Sequence, residues 1–400
     1  MFSANPVFIP GPTNIPEVIR KACDMPTIDH RSPAFADILH PALAGVKRVL
    51  KTEAGEVIVF PASGTGGWEA AIANTLSQGD KVLAGRNGMF SHRWIDMCQR
   101  FGLDVQVLEH RWGQGLDAAA YAEALQADTG HRIKAVLATH NETATGVTSD
   151  IAALRTALDA AGHPALLMVD GVSSIGSVDF QMDAWGVDLA VTGSQKGFML
   201  PPGLAIVGVS PKARAAMETA DLPRTFFDFR DMMGSYARSG YPYTPAVGLM
   251  NGLRVACDML LSEGLDAVFA RHARIADGVR AAVDAWDLRL CAETPEVRSN
   301  TVSAVVVPEG ADADAFVARA AQTYGVSFGT GLGEVAGQVF RIGHLGMMTD
   351  VQALSGLAAA EMVMADLGFG IVPGAGVAAA QGVYRASADN AAQRLGLAAA

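Results

Sequence analysis

Short apolar runs alternate with longer amphipathic stretches along the chain from about residue 56. The apolar runs read EVIVF, DKVLA, KAVLAT, ALLMVD, VDLAVTG and LAIVGVS, and the stretches GWEAAIANTL, SHRWIDMCQRF and DIAALRTALDAAG lie between the earlier ones. Short apolar runs are typical of buried strands, and apolar residues at a spacing of roughly 3.6 are typical of helices. The alternation predicts an α/β fold built on a mostly parallel sheet.

The pattern changes after about residue 262. A long helical stretch leads into the apolar run VSAVVVP, a helix, the run VFRIG and a further helix that begins near Asp350. The tail from Gly370 is rich in alanine and glycine and shows little patterning. We expect three parts: an N-terminal segment of residues 1–17, a large domain of residues 18–262 that holds the sheet, and a smaller C-terminal α/β domain of residues 263–400.

Composition narrows the classes of function. Half of the 400 residues are hydrophobic, the net charge is -11 and no lysine or arginine run occurs, so nucleic acid is not an expected partner. Each apolar run ends well short of the roughly 18 residues that a membrane span requires, and the opening MFSANPVFIPGP lacks the charged start of a signal peptide. The four cysteines lie far apart without a CxxC pair, which predicts reduced thiols in a cytoplasmic protein and no metal site.

Small polar residues follow several of the apolar runs, in the segments PASGTGG, THNETATG, DGVSS and GSQKG. Ligands of parallel sheets bind beyond the carboxyl ends of the strands. PASGTGG leads into a helix whose first N–H groups are unpaired, an arrangement that binds phosphate, although its glycines could also form a plain turn. A Walker loop would need GK[ST] here, and a dinucleotide fingerprint would need a small residue in place of Glu69. GLGEVA at 331–336 precedes the strand-like VFRIG and is interpreted as a coincidence.

Lys196 stands alone among small, apolar and turn-forming residues in TGSQKGFMLPPG. It is either a surface lysine on a loop or a residue with a chemical role, because an unpaired ammonium is costly to bury. Asp170 ends the run ALLMVD and either caps the next turn or faces a cation. A phosphate-binding turn, a strand-end aspartate and a lysine with small neighbours together suit pyridoxal phosphate (PLP), whose phosphate, pyridine nitrogen and aldehyde they would bind.

The motifs that carry a family resemblance occur along nearly the whole chain. They are PGPTNIP, DHRSP at 29–33, SGTGGWEAA, NGMFSHRW, HNETATGV, VDGVSSIG, GSQKG, YPYTP and FRIGHLG. In order and spacing they resemble the class V aminotransferases of PLP fold type I, in particular the serine–glyoxylate and alanine–glyoxylate aminotransferases. The resemblance implies a large domain with a mostly parallel sheet, a smaller C-terminal α/β domain and PLP as cofactor.

The resemblance also implies roles for individual residues. The cofactor-binding set is Ser63, Gly64, Thr65, Phe90, Thr143, Asp170, Gln195, Lys196, Tyr241 and Thr244. Within this set Lys196 and Asp170 resemble the catalytic pair, the lysine at the cofactor aldehyde and the aspartate at the pyridine nitrogen. The turn at 63–65 and Gln195 resemble phosphate ligands, Thr143 matches the hydroxyl near the phenolic oxygen, and Phe90 stands where some relatives have tryptophan.

Two further implications concern the substrate and the assembly. Arg341 matches the arginine that binds the substrate α-carboxylate, a role that suits its planar fork of donors; otherwise it would form an ion pair at a sheet edge. Tyr241 and Thr244 resemble a pair that reaches the phosphate of a neighbouring subunit, which implies a homodimer with shared active sites.

The expected activity is amino transfer from an L-amino acid to glyoxylate, which yields glycine and an oxo acid. Serine is the favoured donor, and aspartate and alanine are alternatives. Aspartate would need a second cation, which Arg224, Arg230 and Arg238 could supply unless they pair with the acidic residues Asp221, Asp228 and Asp231 nearby.

A cysteine desulfurase is a more remote alternative. Such an enzyme needs a nucleophilic cysteine on a mobile loop over the site. No cysteine follows Cys291, which lies in the strand-like LRLCAE.

Overall fold

A computed structural model describes the chain from residue 5 to residue 394. The strands are β1 (Val7–Phe8), β2 (Glu56–Pro61), β3 (Lys81–Arg86), β4 (Asp104–Glu109), β5 (Ile133–Thr139), β6 (Asn141–Glu142), β7 (Val147–Thr148), β8 (Leu166–Asp170), β9 (Leu189–Gly193), β10 (Leu204–Val209), β11 (Arg289–Leu290), β12 (Val302–Val306), β13 (Ser327–Thr330) and β14 (Val339–Gly343). The α-helices are α1 (Glu17–Cys23), α2 (Pro33–Leu50), α3 (Gly64–Thr75), α4 (Met89–Arg100), α5 (Ala118–Ala127), α6 (Ile151–Ala160), α7 (Pro211–Ala216), α8 (Phe229–Tyr236), α9 (Val247–Glu263), α10 (Leu265–Ala285), α11 (Ala313–Tyr324), α12 (Asp350–Asp366) and α13 (Ala375–Arg394).

The seven-stranded central sheet has the order β2-β10-β9-β8-β5-β3-β4. Neighbouring strands from β9 to β4 are parallel, whereas β10 is antiparallel to both β9 and β2. The prediction of a mostly parallel sheet is therefore confirmed. The exception has a simple cause, because a short loop without a crossover helix joins β9 to β10, and such a connection leaves its two strands antiparallel.

Side chains of the central sheet pack against helices on both faces. In β2, Val57 and Val59 belong to the core on one face, and Ile58 and Phe60 belong to the core on the other. This alternation is the period of two that a strand imposes. Burial on both faces explains why the central strands read as continuous apolar runs in the sequence.

A smaller five-stranded sheet has the order β1-β13-β14-β12-β11. Strand β1 pairs in parallel with β13, and the other pairs are antiparallel. Its core contains Phe8, Phe316, Phe328 and Phe340. The N-terminal strand is thus held by the C-terminal part of the chain, and the residues that follow it are carried over the edge of the central sheet.

The alanine-rich tail that showed little patterning forms α13, which packs along α10. Alanine has the highest intrinsic helix propensity, so a helix needs few apolar anchors there. One anchor is the buried ring of Tyr384, which lies against Gly278, where any Cβ would collide with it. No helix among residues 5–394 is long and apolar enough to cross a membrane.

Candidate active site

The strands β2, β5, β8 and β9 all end at one edge of the central sheet. Strand β2 runs in the same direction as β9, since both are antiparallel to β10. A cavity of about 230 Å³ lies at this edge. Its lining residues are Gly11, Pro12, Ser63, Gly64, Thr65, Trp68, Phe90, Thr143, Asp170, Val172, Ser173, Gln195 and Lys196. Every predicted cofactor residue except Tyr241 and Thr244 is among them.

Lys196 lies in the short loop between β9 and β10 and is 9% exposed. Its Nζ donates a hydrogen bond to the carbonyl oxygen of Pro10. Gly11 follows with a φ of +120°, and a Cβ at that position would lie 2.5 Å from Nζ, so glycine is required there. The pKa of Lys196 is lowered to about 8, chiefly by burial and also by the charge of Arg341, while Asp170 opposes the shift. About a tenth of the amine is therefore uncharged at pH 7, far more than for an ordinary lysine, and the uncharged form is the one that acts as nucleophile or base. The alternative of a surface lysine is wrong.

Asp170 is the last residue of β8 and is 4% exposed. Its Oδ1 accepts a hydrogen bond of 2.9 Å from the N–H of Val172, so it does cap the next turn. Burial is the main cause that raises its pKa to about 7, and the Glu142 carboxylate adds to the rise. The indole N–H of Trp68 has no hydrogen-bond partner among residues 5–394 but lies near enough to lower this pKa. Asp170 forms no ion pair with a described residue, so a cationic ligand atom would stabilise its charge.

The turn after β2 leaves the start of α3 open. Ser63 is the N-cap, yet its side chain makes no capping hydrogen bond, so the first-turn N–H groups and the hydroxyl are free to bind an anion. The Oε1 atom of Gln195 is buried and also lacks a partner among the described residues. A Cβ at Gly193 would lie 3.0 Å from that oxygen. Unpartnered polar groups of this kind fit a phosphate, and with Asp170 and Lys196 the set fits PLP.

Thr143 and Phe90 also line the cavity. Thr143 Oγ1 lies 2.7 Å from Ser173 Oγ, and Ser173 Oγ donates to the carbonyl oxygen of Asn141 at 2.9 Å. Sequence reasoning missed Ser173 as a lining residue, although it lies within the DGVSS segment that was singled out. The Phe90 ring offers an apolar face for an aromatic ligand.

A second cavity of about 290 Å³ adjoins the first and shares Gly11, Phe90, Thr143 and Lys196 with it. The other residues that line it are Ile9, Pro10, Phe328, Gly329, Thr330 and Arg341. This cavity therefore lies between the central sheet and the smaller sheet.

Arg341, on β14, is the cation of the second cavity and is 7% exposed. Its Nε donates to the carbonyl oxygen of Thr330 at 2.8 Å, and its Nη1 donates to that of Thr143 at 3.1 Å. The pKa of Arg341 is lowered to about 10, chiefly by burial and also by the charge of Arg93, while Glu142 opposes the shift. Arg341 forms no ion pair within the described chain, so the sheet-edge ion pair is wrong, and Nη2 is free for a ligand carboxylate.

Two predicted residues lie away from both cavities of their own chain. Tyr241 donates its hydroxyl to the carbonyl oxygen of Val59 and packs beside Tyr236. Thr244 is exposed. Their approach to a neighbouring subunit stays a prediction.

The arginines near this segment are largely engaged within the chain. Arg224 pairs with Asp228 at 3.5 Å and donates to backbone carbonyl oxygens, as the ion-pair alternative predicted. Arg230 instead donates to the carbonyl oxygen of Met217. Arg238 is exposed, and its side chain forms no ion pair or hydrogen bond with a described residue, although its backbone N–H donates to the carbonyl oxygen of Ser235. The three arginines therefore do not form one cationic site within this chain.

No cysteine lines either cavity. Cys98, Cys257 and Cys291 are buried and Cys23 is half-buried, and burial raises the pKa of each thiol. A desulfurase mechanism therefore lacks its nucleophile at this site. Among residues 5–394, no group of three or more histidine, cysteine, aspartate or glutamate side chains could hold a metal ion.

Comparison with known proteins places the chain in a family. The family model Aminotransferase class-V matches residues 22–343. The L-aspartate–glyoxylate aminotransferase of Paracoccus denitrificans is 71% identical, over 96% of this chain and 97% of that protein. The serine–glyoxylate aminotransferase of Hyphomicrobium methylovorum is 53% identical, over 97% of this chain and 96% of that protein.

Solved structures agree with this result. The pyridoxamine–pyruvate aminotransferase of Mesorhizobium loti has a TM-score of 0.90 and is 31% identical, covering 96% of this chain and 98% of that one. The ureidoglycine–glyoxylate aminotransferase of Bacillus subtilis, at 24% identity, shows the same fold with a TM-score of 0.90, over 96% of this chain and 99% of that one. The chain belongs to the class-V aminotransferase family and has the α/β fold of PLP fold type I.

Proposed function

We propose that this enzyme is a PLP-dependent aminotransferase that moves the amino group of an L-amino acid to glyoxylate. One observation carries the proposal: Lys196, Asp170 and the open start of α3 line one cavity, and Arg341 lines the adjoining one. The names of the two relatives above support glyoxylate as the amino acceptor.

The first cavity would hold the cofactor in one orientation. The N–H groups at the start of α3, the Ser63 and Thr65 hydroxyls and Gln195 would bind the phosphate. Asp170 would pair with the pyridine nitrogen, and Phe90 would cover one face of the ring. When bound, PLP supplies an electron-accepting ring that stabilises negative charge developing at the substrate α-carbon.

Lys196 and Arg341 would act on the substrate together. The free Nη2 of Arg341 binds the α-carboxylate, which directs the neighbouring α-carbon toward Lys196, because Lys196 lines both cavities. With its pKa lowered to about 8, the Lys196 amine accepts the proton that leaves the α-carbon. Glyoxylate also carries a carboxylate next to its reacting carbon. The same arginine and lysine therefore serve the donor and the acceptor in turn.

Serine is the favoured donor and aspartate is the second candidate, and a separate observation supports each. Apart from Arg341 and Lys196, the residues that line the second cavity are neutral, which suits a donor with one carboxylate. The relative at 71% identity is named for aspartate, which favours the second candidate. A second carboxylate would need a further cation, and Arg93 and Arg238 are exposed arginines with no described anionic partner.

The proposed assembly is a homodimer with shared sites. Phe226 and Tyr243 are 39% and 38% exposed and stack with ring centroids 5.4 Å apart. Phe226 precedes and Tyr243 follows Tyr241 in the sequence, and Tyr243 is directly followed by Thr244. Exposed aromatic residues of this kind are enriched where proteins associate.

The test of the proposed function is a donor screen on purified protein. PLP and glyoxylate are supplied with L-serine, L-aspartate or L-alanine, and glycine and the matching oxo acid are measured. We expect equal amounts of both products with at least one donor, and none after PLP has been removed. Absence of glycine with all donors would contradict the proposal.

A further inference from the structure

Two helices begin at the cavity, and their N-termini differ. The start of α3 is open, whereas the start of α4 is filled by the carboxylate of Glu142, which is fully buried. Glu142 Oε2 accepts hydrogen bonds of 3.0 Å from the N–H groups of both Phe90 and Ser91. An anion at a helix N-terminus is stabilised by these otherwise unpaired donors and by the helix dipole. Of these two helix starts, therefore, that of α3 is the one open to the phosphate of a cofactor.

The same carboxylate also contacts the loop that contains Thr143. Its Oε1 accepts a hydrogen bond of 3.1 Å from the N–H of Ala144, directly after Thr143. Thr143 in turn holds the Arg341 guanidinium through its carbonyl oxygen. One side chain thus links Phe90 on α4 to the loop that orients Arg341.

The fit around Glu142 is close. A Cβ at Gly88, the N-cap of α4, would collide with the Glu142 Cγ and Cδ atoms, so glycine is required at that position. Phe90 and Thr143 are both among the residues shared by the two cavities. A shift of Glu142 would therefore move walls of both cavities together.

We propose that Glu142 is a positioning residue that holds Phe90 against the cofactor and holds the Thr143 loop against Arg341. This inference rests on the proposed function, because it assigns Phe90 and Arg341 their cofactor and substrate roles. Glu142 itself lines neither cavity; its carboxylate accepts from backbone N–H groups and, at 3.1 Å, from the Ser91 hydroxyl.

The chain contains a matched control. Glu361 is also a buried glutamate at a helix N-terminus, where it accepts hydrogen bonds from the N–H groups of Gly374, Gly376 and Val377 at the start of α13. Its remaining contact is the Trp286 indole N–H at 2.9 Å. None of these partners lines either cavity. Glu361 thus has the same capping chemistry as Glu142 without a connection to the site.

The experiment compares Glu142→Gln with Glu361→Gln. Glutamine keeps an oxygen of similar position but replaces the other oxygen by an NH₂ group, which cannot accept from a backbone N–H. We expect both variants to lose unfolding stability. We expect only Glu142→Gln to weaken PLP affinity, by on the order of tenfold, to change the absorption band of bound PLP, and to raise the donor KM more than it lowers kcat.

A double variant tests the route of the effect. If Glu142 acts on the cofactor through Phe90, the PLP Kd of Phe90→Ala with Glu142→Gln should match that of Phe90→Ala alone. Multiplied effects on Kd would overturn the claim that Glu142 acts on the cofactor through Phe90. Hydrogen exchange of the Phe90 and Ser91 amides gives a readout without cofactor, and it should accelerate in Glu142→Gln but stay unchanged in Glu361→Gln.

A second variant and the wild-type PLP affinity distinguish failure of the positioning role from failure of the proposed function. If Glu142→Gln does not fold, Glu142→Asp keeps the charge with a shorter side chain and should show the same changes in smaller degree. If the Glu142 variants match Glu361→Gln in Kd, absorption and KM, the positioning role is wrong. A wild-type protein that binds no PLP would instead contradict the proposed function.

Discussion

The buried Asp170 carboxylate should lower the unfolding stability of the cofactor-free protein at neutral and higher pH, although the holoenzyme needs it to pair with the pyridine nitrogen. Its pKa is raised from 3.8 to about 7, so the folded protein holds this proton more tightly than the unfolded chain does. Stability from this group is therefore present at low pH and is lost as the pH rises through about 7. At about 1.4 kcal/mol per pKa unit, the loss between about pH 5 and about pH 8 amounts to about 2 to 3 kcal/mol.

The variant Asp170→Asn isolates this effect. Asparagine keeps an oxygen that accepts from the Val172 N–H but has no charge to bury. The free energy of unfolding of both proteins is measured with urea, without PLP, at about pH 5 and about pH 8. The difference between variant and wild type should shift in favour of the variant by about 2 to 3 kcal/mol from the lower to the higher pH. With PLP and substrates it should lose on the order of 10²-fold or more in kcat. A pH-independent stability difference, or a fully active variant, would refute the reasoning.

Three further predictions concern single side chains. Arg341→Lys should raise the KM of donor and acceptor together by roughly tenfold or more, because both carboxylates lose a two-point contact; unchanged KM values would contradict the assignment. Cofactor-free protein should capture PLP faster as the pH rises through about 8, the pKa of Lys196, because the uncharged amine reacts, and stopped-flow absorbance should not give a flat profile. If aspartate is a donor, Arg93→Gln or Arg238→Gln should lower kcat/KM for aspartate and leave kcat/KM for serine unchanged. The control Arg100→Gln, on the same helix as Arg93, should change neither value. Aspartate turnover that survives both substitutions would exclude these two arginines as the second cation.

Much of the cofactor site was predictable because it is built from strand ends. The apolar run ALLMVD shows where β8 stops, and the polar residue at its end, Asp170, must then lie at the carboxyl edge. The same logic placed Lys196 and the start of α3 together. The helix start also carried its own phosphate-binding signal in SGTGG.

Contacts made across the fold were not predictable. β1 has two residues and no periodicity, so nothing in the sequence indicated that it pairs with β13 and brings Pro10 to Lys196. Glu142 lies in the THNETATG segment, but nothing in the sequence indicated its contact with Phe90, which lies 52 residues away. Arg224 pairs with Asp228, whereas Arg230 donates to the carbonyl oxygen of Met217. The path of the chain determines which acceptor lies near each arginine, and the number of acidic residues in the segment does not reveal that path.

Glycine formation by Lys196→Ala tests the central claim most directly. Wild type and variant are compared at saturating PLP with glyoxylate and the ¹⁵N-labelled donor that wild type uses best. We expect wild type to transfer ¹⁵N into glycine and the variant to be slower by at least about 100-fold, because no other lysine of residues 5–394 lines the cavity and could replace Lys196. A variant that forms labelled glycine at the wild-type rate would contradict the central claim.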